Sequence, residues 1–347
     1  MNHRVAEQAA GLRPRVSVAV ITYNHERFIA QAIEGVLNQE VDFAVELVIG
    51  EDCSTDGTRA IVQAYARQYP NVIRPLLPEK NIGMQHNFIR VIEACTGDFI
   101  AYFEGDDLWI HPGKLARQAA FLAANGDCAT CFHNAIAFFD DPTRAVPDLD
   151  HAGNRLMCGP GTKARFTQKD FFRGNAIPTC SVMFRRSAIG RFPDWFKDIG
   201  IGDLPLHILC TQHGAAAYIN EVMSAYRLHP GSCWSSKNAL ARIPVEIKMF
   251  ATLVQHFNAL PASPAVRRSR QQARRALARA RGKWELARAR AGLDTNPALV
   301  APALWRAWRL YPRQLKWLLR WVCAVWPRAL GGAYTSAHAH RKLREKF

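Results

Sequence analysis

The chain has 347 residues, 49% hydrophobic and 21% charged; this excludes a disordered protein and is ample for one large core, or for one domain plus an appendage. The formal net charge of +16 is unevenly spread: residues 1–260 hold 25 Lys/Arg against 26 Asp/Glu, and residues 261–347 hold 20 against 3. A nearly neutral body joined to a basic tail points to two regions with different physical jobs.

The opening "MNHRVAEQAAGLRPR" lacks the apolar core of a secretory signal, so residues 1–14 read as a flexible N-terminal tail without export. Apolar runs are broken by Arg or Lys before the ~20 residues of a membrane span. Nine cysteines occur without a framework, which suits a reducing cytoplasm. One CxxC, Cys128 and Cys131, has strand-like flanks and no second pair, so it reads as structural rather than as a zinc or redox site.

"VSVAVITYN" (16–24) is a β-branched run ending in polar residues, a buried strand entering a loop. "ERFIAQAIEGVLNQ" (26–39) follows with helical apolar spacing. "VELVIGEDCSTDGT" (45–58) repeats the plan, ahead of the helix "RAIVQAYARQY". The strand "VIRPLL", the loop "PEKNIGM" and the helix "QHNFIRVIEACTG" come next. The fourth strand, "DFIAYF" (98–103), runs into "EGDDLW", and "HPGKLARQAAFLAAN" starts a helix with Pro112 in its first turn. Strand, loop and helix four times over predicts a parallel sheet with right-handed crossovers, and ligands bound beyond the C-terminal strand ends. After about residue 130 the pattern loosens. The elements expected there are a strand in "TCSVMFRRSAI", a helix over 202–214, a strand "AAAYINE" and the stretch "SAYRLHPGSCW" (224–234), with helices from about 240 onward.

Three carboxylates, Glu104, Asp106 and Asp107, gather at one strand end, where like charges repel unless something offsets them. A divalent cation with oxygen ligands is the simplest partner, its other positions filled by phosphate oxygens. A solvated helix cap is the plainer reading. No Walker loop and no G-x-G-x-x-G after the first strand is present, which weighs against an ATPase and a dehydrogenase.

Taken together, "VSVAVITYNHERFIAQAIEGVLNQ", "VIGEDCSTDGT", "NIGMQHNF" and "YFEGDDLW" resemble, in that order and spacing, the motifs of the family 2 glycosyltransferases. The likeness covers about residues 15–235. It implies the α/β GT-A fold: a doubly wound, mostly parallel central sheet with helices on both faces, here with a mainly helical C-terminal region. The implied division is a transferase domain over 15–240, its nucleotide-sugar half at 15–130 and its acceptor half at 131–240, followed by a basic helical region at 241–347.

By this resemblance Thr22, Tyr23 and Asn24 line the nucleoside pocket with help from Glu26, and Asp52 accepts a hydrogen bond from the base. Asn81 lies near the phosphates or the sugar. Asp106 is the principal ligand of Mn²⁺ or Mg²⁺, bridging to the diphosphate, with Asp107 beside it. Glu104 stands where the family usually has Asp, and reaches toward ribose or metal. An inverting transferase also needs a carboxylate base for the acceptor hydroxyl. In the family the base sits at a helix start on the far side of the fold, and "IGIGDLPLHIL" offers Asp203 there; the same position suits an N-cap. In "YRLHPGSCW", which resembles the late loop closing over the donor, Arg227 neutralises phosphate charge and His229 is a further metal or phosphate contact. His111, His133 and His207 receive no role.

The tail holds the Ala/Arg-rich "VRRSRQQARRALARARGKWELARARAG" (266–292) and a Trp/Leu/Arg-rich segment (302–330). Trp and Arg interleaved suit an anionic membrane surface; helices packed on the body, with a solvated Arg face, are the alternative. Nucleic acid is a third reading, without a recognisable module behind it. The expected activity is metal-dependent, inverting hexosyl transfer from a nucleoside diphosphate sugar to a glycan or lipid-linked acceptor in bacterial surface polysaccharide or glycolipid assembly. The expected place is the cytoplasm, peripheral to the membrane. The alternatives are a sugar nucleotidyltransferase, or a non-catalytic module acting through the tail.

Overall fold

A computed structural model describes residues 15–140, 153–232, 234, 237–292 and positions 302, 305, 306, 309 and 310. The expected N-terminal tail and most of the Trp-rich segment therefore lie outside the described residues. The chain divides into two compact units between positions 236 and 237.

The first unit is built on β1 (Val16–Thr22), β2 (Val45–Glu51), β3 (Ile73–Leu76) and β4 (Phe99–Glu104), each followed by a helix. The helices are α1 (Ile29–Leu37), α2 (Thr58–Gln68), α3 (Met84–Ala94) and α4 (Lys114–Ala124). β1 lies in parallel register between β2 and β4, and all seven of its residues are buried, as a strand covered on both faces requires. β3 pairs only with β2, so Pro75 removes no ladder hydrogen bond that an edge strand needs. The helix at α4 begins two residues beyond Pro112, which lies just outside its first turn.

The second half completes the same sheet. β5 (Leu108–Trp109), β6 (Cys128–Phe139), β9 (Met183–Arg185) and β10 (Ala215–Leu228) extend it in the order β3-β2-β1-β4-β9-β6-β10-β5. β6 and β10 are parallel, and the short β9 runs antiparallel between β4 and β6. The two short strands β7 (Arg155–Leu156) and β8 (Arg165–Phe166) pair with β6 and β10. The sheet is thus mixed and mostly parallel, the GT-A-like arrangement.

Three local expectations shift. The strand expected in "TCSVMFRRSAI" shrinks to three residues between two 3-10 turns, Thr179–Ser181 and Arg186–Ala188. "AAAYINE" and "SAYRL" form one strand, β10, whose register slips between Ile219 and Ser224; the bulges absorb Asn220, Glu221 and Met223. The helix expected over 202–214 is α6 (Asp203–Cys210), preceded by the one-turn α5 (Gln168–Phe171).

Gly50 seats α3 on the sheet. A Cβ there would come within 2.4 Å of Val91 and closer still to Asn87, whose amide donates to the Gly50 carbonyl at 2.7 Å. Cys128 and Cys131 are buried free thiols on β6. The second unit contains α7 (Ala239–Ala259) and α8 (Pro264–Gly292). Arg270 donates to the carbonyls of Phe257 and Leu260 at 2.6 Å, and Lys283 reaches Glu246 at 3.5 Å, so the two helices form an antiparallel hairpin.

Candidate active site

The parallel strands β1, β2, β4, β6 and β10 all point their C-terminal ends to one edge of the sheet. That edge carries Thr22–His25, Glu51–Asp56, Glu104–Asp107, Asp140 and Arg227–His229.

The loops after β1 and β2 are laced together. Asn24 adopts a left-handed φ of 54°, and its amide oxygen accepts from the Thr55 backbone N–H at 2.9 Å. The Glu26 carboxylate accepts from the Gly57 N–H at 2.7 Å, while the Glu26 N–H donates to Asp56 at 3.1 Å. Asn24 and Glu26 therefore hold the rim, and Tyr23, 42% exposed, is the side chain of this loop left facing outward. Asp52 is buried, with its two oxygens accepting from the N–H groups of Ile82 and Gly83 at 2.8 and 2.9 Å. Asn81 donates to the Asp52 carbonyl at 2.9 Å. The loop after β3 is thereby clamped onto β2.

The acidic cluster lies at the end of β4. Glu104, Asp106 and Asp107 each offer an oxygen within 4.8 Å of the other two. Asp106 Oδ1 and Asp107 Oδ2 are buried without a hydrogen-bond partner. Two unpartnered carboxylate oxygens beside a third carboxylate are a poor solvated cap but a fitting donor set for a hard divalent cation. Burial, then the charges of Asp106 and Asp203, push the Glu104 carboxyl up to about 8. Burial, then Asp106 and Glu104, raise Asp107 well above the usual carboxylate range. Burial would raise Asp106 as well, but the hydrogen bond from His229 and the neighbouring imidazoles hold it below its ordinary value.

His229 Nε2 is 3.1 Å from Asp106 Oδ2, and His25 Nε2 approaches the same oxygen at 3.8 Å. The Thr22 hydroxyl is 3.2 Å from His25 Nδ1. The His229 side chain is only 8% exposed, its ring centroid 4.8 Å from that of Phe28.

The Arg227 guanidinium is engaged within the protein: Nε donates to the Asp106 carbonyl at 2.8 Å, and the terminal nitrogens donate to Asp140 and Gln31. Its backbone N–H donates to Asp107 Oδ1 at 2.9 Å, and Phe28 and Phe138 flank its guanidinium at 4.6 and 4.9 Å. Arg227 therefore braces both aspartates from behind.

Asp203 is the first residue of α6 and lies near enough to Glu104 for its charge to raise that carboxyl. Its carboxylate accepts from the Leu204 N–H at 2.7 Å and from the Asn175 amide at 2.6 Å. Gly202 occupies the cap position, so Asp203 is not the N-cap. Burial raises its pKa above the ordinary Asp value. Gln85, at the start of α3, lies against Gly202 with a buried, unpartnered Oε1.

Sequence reasoning gives no role to His25, Gln31, Asp140, Asn175 or Gln85. Only His25 carries a local signal, its place in "TYNHER" after β1; the other four acquire meaning from tertiary contact.

The sequence model of glycosyl transferase family 2 matches residues 17–192. An uncharacterized protein of Mycobacterium tuberculosis is 32% identical over 225 residues, covering 64% of this chain and 61% of that protein. The match thus spans about three fifths of the relative's length. The putative teichuronic acid biosynthesis glycosyltransferase TuaG of Bacillus subtilis is 29% identical over 65% of this chain and 83% of its own. Among solved structures, S. aureus TarS 1–349 in complex with UDP-GlcNAc superposes with a TM-score of 0.57 at 16% identity, covering 94% of this chain and 92% of that one. The mannosyltransferase PcManGT of Pyrobaculum calidifontis, in complex with GDP-Man and Mn²⁺, gives 0.51 at 18% identity, covering 94% and 90%. These structural likenesses bear on fold alone. With half of its residues matched by the family model, the chain belongs to glycosyl transferase family 2.

Proposed function

We propose that this protein transfers a sugar from a nucleoside diphosphate donor to an acceptor hydroxyl, with inversion and with a divalent cation. The observation that carries the reading is the Glu104–Asp106–Asp107 cluster at the sheet edge, with two buried oxygens lacking partners and with Asp203 near enough for its charge to raise Glu104. Asp106 and Asp107 would hold the cation, with His229 beside them and Glu104 at the margin. When bound, the cation supplies positive charge against the departing diphosphate. Tyr23 and the rim held by Asn24 and Glu26 take the nucleoside, and Asp52 and Asn81 fix the loop beneath it. Asp203 takes the proton of the acceptor hydroxyl as its oxygen bonds to the anomeric carbon. The bond from that carbon to the diphosphate breaks, and the nucleoside diphosphate leaves with the electron pair. The raised pKa of Asp203 makes it a stronger base than a solvated aspartate.

The donor class is supported by the sugar nucleotides in the TarS and PcManGT complexes, and Mn²⁺ by the latter. The polysaccharide setting is supported by TuaG. We assign residues 15–240 to transfer, with 15–130 for the donor and 131–240 for a glycan or lipid-linked acceptor, and 241–347 to an accessory role. Among the described residues no helix is long and apolar enough to cross a membrane. We place the enzyme in the cytoplasm, peripheral to the membrane, on the basic charge of its C-terminal region.

The test is a thermal-shift panel of nucleotide sugars with and without Mn²⁺ on wild type, Asp106→Ala and Asp203→Asn. Wild type should show a cation-dependent shift with at least one donor. Asp106→Ala should lose it. Asp203→Asn should keep it while transfer falls by ~10²–10⁴-fold. No shift with any sugar nucleotide, or a normal shift in folded Asp106→Ala, overturns the assignment.

A further inference from the structure

α8 carries two sets of arginines. Arg270 turns back onto the carbonyls at the end of α7 and holds the hairpin. Four of the others repeat every seven residues. Arg267, Arg274, Arg281 and Arg288 are all exposed, and Arg268 and Arg275 run beside them. A seven-residue repeat drifts by only ~20° per heptad, so the four guanidinium groups form one nearly straight row. At ~1.5 Å per residue that row is about 30 Å long. The opposite face carries the buried Ser269, Ala273, Ala276 and Ala280. Small residues seat the helix on its buried side, so the arginine row is not needed to hold it there.

Among the described residues none of the row's arginines has an acidic partner, and Glu285 is the only acid in α8. Glu285 lies on the same face, between Arg281 and Arg288, and Arg306 donates to its carboxylate at 2.9 Å. That ion pair brings Trp305 alongside the row. Trp305 is 55% exposed, with the Arg309 guanidinium 4.7 Å over its ring.

We propose that the arginine row of α8, with Trp305 at its end, is a docking surface for an anionic lipid leaflet. Arg274 also donates to the Asn258 amide oxygen at 3.4 Å, but that partner is neutral. A straight row of guanidinium groups without acidic partners among the described residues meets headgroups along its whole length on a plane. Phosphates on a nucleic-acid duplex wind away from a straight row after a short arc. An amphipathic Trp flanked by Arg suits the boundary between headgroups and acyl chains. This surface goes beyond the transfer reaction and stands whether or not that reading holds.

The experiment is co-sedimentation of the full-length protein with neutral phosphatidylcholine vesicles and with vesicles containing about one third phosphatidylglycerol. Wild type should sediment with the anionic vesicles only, and raising salt from ~0.1 M to about 0.5 M should weaken the binding. The combined variant R267Q/R274Q/R281Q/R288Q keeps helix formers on an exposed face, so its circular dichroism should be unchanged. Its vesicle binding should fall by at least about 100-fold. Trp305→Ala should weaken the binding that survives high salt. No sedimentation of wild type, equal sedimentation of the folded quadruple variant, or tighter binding of wild type to duplex DNA than to anionic vesicles would overturn the proposal.

Discussion

At the scale of single residues, the site is an exercise in unbalanced charge. Three carboxylates share one small volume, and Glu104 is pushed up to about 8 by burial and then by its acidic neighbours. It is therefore protonated at neutral pH, and a cation must displace that proton to use its oxygen. The sign follows: apparent Mn²⁺ affinity should rise with pH toward about pH 8, and by titration calorimetry Glu104→Gln should lower the slope, leaving the part due to Asp107, whose carboxyl burial also raises. An unchanged slope in Glu104→Gln would place Glu104 outside the cation's reach. Arg227 acts on the same cluster from behind. Arg227→Lys keeps the charge but loses the planar fork that joins the Asp106 carbonyl, Asp140 and Gln31. It should lower Mn²⁺ affinity by ~10–100-fold, with metal-free nucleotide affinity unchanged. Loss of metal-free nucleotide affinity instead would return Arg227 to the phosphates. The grouping of Glu104, Asp106 and Asp107 is legible in the sequence because they are neighbours at a strand end. The direction of Arg227 is not legible: one basic residue two positions before His229 reads the same whether it faces ligand or core.

At the scale of elements, the first half of the sheet is legible and its middle is not. β1 to β4 announce themselves because each β-branched run is followed at once by a helical period, and local pattern and pairing agree. β9 has only three residues and joins the sheet antiparallel between strands that come earlier in the chain. Nothing in "VMFRR" specifies that slot; the neighbours do. The join of β2 to α3 shows how tightly such slots are cut. Gly50 lets Asn87 and Val91 approach closer than any Cβ allows. Gly50→Ala should therefore destabilise the protein by ~1–3 kcal/mol through overpacking, measured by urea unfolding. Near-wild-type stability would mean that α3 shifts freely on the sheet, and the clamp between Asp52 and the loop before α3 would then weaken with it.

At the scale of the whole molecule, charge and architecture divide at nearly the same place. Before the division at 236/237 the chain holds 22 Lys/Arg against 25 Asp/Glu, and after it 23 against 4. The cluster at β4, the laced loops and Asp203 all belong to the first unit, and the hydrophobic core beneath them is made of residues from that unit. A protein whose donor site and core lie on one side of such a division should keep donor binding when cut there. The prediction is that residues 1–236, expressed alone, fold and show the same cation-dependent thermal shift with a nucleotide sugar as the full chain. The fragment should also pass through a cation-exchange column that retains the full-length protein, because its excess charge is slightly negative. Two outcomes count against the division. A fragment that aggregates would show that the hairpin of α7 and α8 completes the fold of the first unit. A fragment that folds but loses the cation-dependent shift would show that the donor site draws on residues beyond 236, and the transferase assignment would then have to extend into the basic region.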